Sequence, residues 1–253
     1  MTFGDLGLLF VAGVGAGIVG STAGLASLIS YPALLLTGLP PVVANVTNTV
    51  GLIGSSAGSV LGSRREFSGR WRSLSRSLPL AAAGGLLGAI LLLIGPPGSF
   101  ERIVPFLVAF ASTLLLLSPQ IRAAAARRAA RRRVGSPSQS WILPVLFPCF
   151  VYGGYFGAAA GMIILAALLI GTEHSLPVAN AMKNLMLGVA NMVAAITFAF
   201  STSVSWLSVP PLLLGCVLGG WLGPGIVRRI NPAVLRWIIG IAGLALAVRL
   251  WFN

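Results

Sequence analysis

Eight apolar segments alternate with short polar breaks along the chain, at about 6–37, 42–62, 74–95, 101–118, 143–170, 178–200, 207–227 and 233–252. Several have the length of a membrane-crossing helix, for which about 20 apolar residues suffice. Two are too long for one span and too short for two. Segment 6–37 would make about 48 Å of straight helix against a hydrocarbon core of about 30 Å. Breaks are expected near Gly20-Ser21-Thr22-Ala23-Gly24 and Gly157-Ala158-Ala159-Ala160-Gly161. Each long segment then reads as a broken, re-entrant hairpin, with one long kinked or tilted helix as the alternative.

The pattern repeats. A shift of 135 residues lays Val43-Ala44-Asn45 on Val178-Ala179-Asn180, Trp71 on Trp206, and Gly84, Gly85 and Gly88 on Gly219, Gly220 and Gly223. Upstream, a shift of 137 matches Gly17, Gly20 and Gly24 with Gly154, Gly157 and Gly161. The chain therefore divides into a first membrane repeat (1–118), a basic linker (119–140) and a second membrane repeat (141–253). The expected fold class is an all-α polytopic membrane protein, each repeat a broken first segment followed by three transmembrane helices.

Arginine placement sets the orientation. The break 63–76 carries five arginines and its counterpart 201–206 none, while 228–236 carries three and its counterpart 96–102 one. The positive-inside rule puts 63–76, 119–140 and 228–236 in the cytoplasm and both termini outside. Equivalent breaks then face opposite sides, so the repeats are inverted. The linker arginines are expected to fix orientation and to touch anionic lipid.

Within this apolar background residues 177–191, PVANAMKNLMLGVAN, are conspicuously polar. Asn180, Lys183, Asn184 and Asn191 share one helix face, and their counterparts Asn45, Asn48, Thr49 and Ser56 are all polar. Facing stripes would form a site between the halves. Simple interhelical hydrogen bonding is the competing role for the amides. Lys183, the one lysine, either supplies charge to a substrate or snorkels to the cytoplasmic surface. The glycines at 13, 17, 20 and 24, and at 153, 157 and 161, suit close helix packing. Backbone N–H groups at the breaks, with the Ser21 and Thr22 hydroxyls, could also hold an oxyanion.

Composition sharpens this picture. With 57% hydrophobic and 8% charged residues, the chain departs from the roughly 25% charged content of soluble domains. Its net charge of +13 resides in short interhelical breaks, which argues for topology and against nucleic-acid binding. No lysine or arginine precedes Arg64, so a cleaved signal peptide is not expected. Asp5, Glu66, Glu101 and Glu173 all fall near segment ends, and Cys149 and Cys216 make no metal spacing. No catalytic residues, metal or cofactor are expected. Amides and cations without deep carboxylates favour a small anionic substrate.

The chain resembles the sulfite exporter TauE/SafE family. The resemblance rests on GVGAGIVGSTAG, on GLPPVVANVTN at 38–48, on GGYFGAAAG at 153–161, on PVANAMKN at 177–184 and on GCVLGGWLG at 215–223. It implies a multi-pass transporter of the bacterial plasma membrane that exports sulfite or an organosulfonate. Departures are the Ser-Thr-Ala and triple-alanine breaks, where family members are more glycine-rich. A passive anion channel and a non-transporting membrane scaffold are the competing classes.

Overall fold

A computed structural model of the chain describes residues 1–67, 71–130, 142–172, 174–226 and 232–252. Arg70, Arg131–Arg133, Glu173, Arg228 and Arg229, all invoked above, lie outside the described residues. The described elements are helical: α1 (Phe3–Ala23), α2 (Ser27–Leu36), α3 (Pro41–Gly62), a short 3-10 turn (Arg64–Phe67), α4 (Trp71–Ile94), α5 (Ser99–Leu116), α6 (Ser118–Ala130), α7 (Ile142–Tyr155), α8 (Ala160–Gly171), α9 (Leu176–Ser201), α10 (Val209–Ile226) and α11 (Pro232–Phe252). Among them α1, the Leu74–Ile94 part of α4, α5 and α9 are long and apolar enough to cross a membrane.

Local chemistry explains the helix ends. A capping box opens α1, with Thr2 and Asp5 satisfying each other's backbone N–H groups. Prolines open α3 and α9, at Pro41 and Pro177, where a missing N–H costs nothing. Both long apolar segments are broken, so the single kinked helix is set aside. The first ends in left-handed Gly24, whose N–H donates to Val19 O and Gly20 O. The second breaks at Gly157 and Ala159, both with positive φ. After the first break the chain turns back: a Cβ at Gly20 would lie 2.8 Å from the Ala26 Cβ, and one at Gly15 would lie 3.5 Å from Ile29.

Helix packing crosses between the halves. α10 lies against α1 and α3, α4 lies against α7 and α9, α3 meets α9, and α5 meets α11. Glycine permits these approaches. A Cβ at Gly215 would stand 3.0 Å from the Gly13 Cα, and one at Gly219 would stand 3.0 Å from the Gly17 Cα. On the α4 side, a Cβ at Gly154 would lie 2.9 Å from Gly85. Such contacts replace the hydrophobic drive that apolar helices lack in lipid. The outer faces of α4 and α11 expose Leu86, Leu87, Ile90, Leu91, Trp237, Ile238 and Ile241.

The first part of the basic stretch 119–140 is helix α6, packed on α8. Alanine and arginine are good helix formers, and Arg127 and Arg128 complement the C-terminal end of the helix dipole.

Candidate functional site

A helix that stops inside an apolar body leaves its last carbonyls without intrahelical partners. In α1 these carbonyls collect four side chains. Asn180 and Asn184 donate to Ser21 O at 2.8 and 3.1 Å. Lys183 Nζ donates to Gly20 O at 3.2 Å and to Ser21 O at 3.5 Å. Arg122 Nη2, from α6, donates to Thr22 O at 2.9 Å. The i, i+3, i+4 spacing on α9 delivers the first three to one place. The negative end of the α1 dipole suits the two cations.

The other break is met from the opposite direction. Asn45 on α3 donates to Tyr155 O, in the last turn of α7, at 2.9 Å. Asn48, on the same helix, turns instead to the first break and donates to Ser27 Oγ at the start of α2, at 3.1 Å. Each polar helix thus caps the broken helix of the other half.

Between the breaks lies a small cavity lined by Gly20, Gly24, Ser27, Ser55, Ser56, Gly157, Asn184 and Asn191. Its volume is about 30 Å³, and one water needs about 10–15 Å³ on this measure. A groove of about 300 Å³ between α3 and α9 shares Ser56 and Asn184 with it. The groove is otherwise apolar, lined by Ile53, Ala57, Val60 and residues of α9.

The expected residues fall into three groups. Asn45, Asn48, Lys183 and Asn184 are buried, Asn180 is half-buried, and all five are engaged at the breaks. Ser56 and Asn191 line the cavity. Ser21, Thr22 and Thr49 turn to their own helices. Their hydroxyls donate to carbonyls of their own helices, Ile18 O for the first two and Asn45 O for Thr49. The C-terminal end of α1 offers carbonyl acceptors, which here receive Lys183 and Arg122. Lys183 does not snorkel; it is 0% exposed.

Arg122, Ser27, Ser55 and the Tyr155 carbonyl were not foreseen. Arg122 was hidden in a basic run that topology alone accounts for. Ser55 has an apolar counterpart, Ala190, so the repeat comparison passed over it.

Broken helices, crossed caps and a lipid-facing apolar surface together define a multi-pass membrane protein with a polar seam between its halves. The profile of the family described as sulfite exporter TauE/SafE matches residues 9–250, and the chain belongs to that family. It is similar to a probable membrane transporter protein, ORF9, of a Sinorhizobium species, at 28% identity over 99% of this chain and 94% of the relative. A probable membrane transporter protein of Haemophilus influenzae is 25% identical over 98% of this chain and 97% of its own. The probable membrane transporter protein YfcA of Escherichia coli K12 is 25% identical over 98% and 90%. No solved structure matches.

Proposed function

We propose that the chain is a secondary transporter that exports a small sulfur oxyanion, sulfite or an organosulfonate, through the seam between two inverted repeats. The observation that carries this reading is the crossed capping, in which α9 closes the end of α1 and α3 closes the end of α7. The repeats are 1–118 and 141–253, joined by a basic cytoplasmic linker, 119–140. The repeat register supports the symmetry. A Cβ at Gly220 would meet Ser55 at 2.6 Å, its counterpart Gly85 approaches Ala190, and Ser55 and Ala190 are themselves 135 apart.

In this reading each α9 amide keeps a second N–H, and the Lys183 ammonium keeps a third. These donors, with Ser56 and Asn191, receive the anion, and Asn45, Asn48 and Thr49 complete the α3 wall. The cavity holds only one or two waters, so the substrate enters when the seam opens. That favours a carrier over a standing pore. An inside-negative potential drives an anion outward by about 2.3 kcal/mol per charge per 100 mV. For a dianion this supports more than about a thousandfold gradient, at about 1.4 kcal/mol per decade.

Proteoliposomes loaded with sulfite, sulfate, sulfoacetate, taurine or thiosulfate, under a clamped potassium diffusion potential, test the reading. Efflux of one sulfur oxyanion that grows with inside-negative potential is expected. Flux indifferent to potential but strictly dependent on a pH gradient would remove the voltage mechanism, and conductance far above carrier turnover would make the protein a channel.

Topology has its own test. Single cysteines at Phe3 and Phe252, in a background lacking Cys149 and Cys216, should both react with an impermeant maleimide added to intact spheroplasts. An N-terminus labelled only from the cytoplasm would replace the re-entrant hairpin with a single first span.

A further inference from the structure

The repeat register pairs Lys183 with Asn48. In the second half, the Lys183 ammonium occupies the carbonyl-rich end of α1. In the first half the corresponding side chain is neutral, and the groups around it are acceptors. Tyr155 O can only accept, so Asn45 must turn its N–H toward it. That leaves Asn45 Oδ1 buried with no donor. Asn48 Oδ1 is likewise buried with no donor, its N–H being given to Ser27 Oγ. Both asparagines are 0% exposed. Leaving two such acceptors unmet costs about 1–3 kcal/mol each.

We propose that this half of the seam binds a monovalent alkali cation, Na⁺ by size and hardness, among Asn45 Oδ1, Asn48 Oδ1, Ser27 Oγ and the Tyr155 carbonyl. Its ligands would come from both breaks, Ser27 from the start of α2 and the Tyr155 carbonyl from the end of α7, with the two α3 amides between them. Amide, hydroxyl and peptide oxygens are hard neutral ligands. Without a coordinating carboxylate they suit a single charge and not a divalent ion. The C-terminal end of a broken helix adds its negative dipole. Among the described residues, the cationic side chains at the breaks, Lys183 and Arg122, are both engaged at the α1 end and leave the α7 end to an external ion. Phe100, at the start of α5, packs on Tyr155 with ring centroids 5.9 Å apart. Ser27 also lines the central cavity, so the ion would sit beside whatever the cavity holds. The assignment needs only the repeat register and the acceptor geometry, and it stands whether or not the substrate is a sulfur oxyanion.

The test uses the full-length protein in detergent, without transport substrate. Thermal unfolding is followed as NaCl replaces choline chloride at constant chloride. A saturable rise of a few degrees with Na⁺ is expected, by the linkage of binding to stability. Asn48→Ala should weaken the apparent Na⁺ affinity at least about tenfold. Asn48→Lys should supply a tethered ammonium, and so fold without Na⁺ and lose the Na⁺ response. If Asn48→Lys does not fold, Asn48→Asp carries the test: it should tighten Na⁺ binding and add a response to Ca²⁺. Equal unfolding temperatures in Na⁺ and choline for the native protein would overturn the proposal. So would a full Na⁺ response in Asn48→Ala, or an unchanged response in Asn48→Asp.

Discussion

Lys183→Met is expected to lower the unfolding temperature and to weaken anion binding by at least about tenfold. The two effects have separate causes. Methionine keeps most of the buried volume but cannot donate. Gly20 O and Ser21 O lose a charged donor, and hydrogen bonds to charged groups contribute about 1.5–3 kcal/mol. Asn180 and Asn184 still serve Ser21 O, so the end of α1 is weakened, not abandoned. Loss of anion affinity comes instead from the missing charge and the third N–H. Lys183→Arg separates them further: it keeps the charge but must fit a planar fork into a fully buried slot shaped for a compact ammonium. Titration calorimetry with the transported anion, alongside thermal unfolding, reads both quantities. A lowered unfolding temperature with unchanged anion affinity in Lys183→Met would make the lysine a cap and nothing more. Arg122→Gln provides a milder comparison, because Arg122 serves a single carbonyl from a half-buried position.

The second large effect is expected at the point where the two breaks touch. Gly24 and Gly161 are counterparts in the repeat, and they meet: a Cβ on Gly24 would lie 2.5 Å from the Gly161 carbonyl carbon, and one on Gly161 would lie 2.7 Å from the Gly24 Cα. Gly24→Ala must therefore displace backbone on both sides of the seam. The control is Gly38→Ala. Gly38 has φ +83° and Gly24 has φ +75°, but a Cβ at Gly38 meets nothing within 4 Å. At Gly38 the cost is the left-handed conformation alone, about 1–2 kcal/mol. At Gly24 overpacking adds about 1–3 kcal/mol or more, and loss of a monodisperse species in detergent is expected. Size-exclusion profiles and unfolding temperatures distinguish them. Equal behaviour of the two variants would show that the breaks do not bear on each other.

Some of this was legible before any coordinates. The segments 42–62 and 178–200 emerge as α3 (Pro41–Gly62) and α9 (Leu176–Ser201), nearly as read. Apolar runs of this length have few alternatives, because a backbone in lipid must satisfy its own hydrogen bonds. The break positions were legible too, since the segments are too long for one straight span and glycine is where such a segment can turn. Helix α6 was not, because the arginines of 119–140 suggested only a charged connection. The hydroxyls of Ser21 and Thr22 illustrate a different limit. A sequence shows that a position is polar, but not whether the group turns to its own helix or to a partner.

The sequence alone determined the apolar segments, the breaks and the polar face shared by Asn180, Lys183 and Asn184. All of these follow from the apolar solvent and from a period of 3.6 residues. Tertiary structure alone decided what that face is for. The acceptors it meets are carbonyls left over where α1 stops, and the partner of Asn180 lies 159 residues away while that of Asn45 lies 110 away. No local pattern encodes such pairs. They exist only once the two breaks have been packed against each other, so that each half supplies hydrogen bonds that the other has lost.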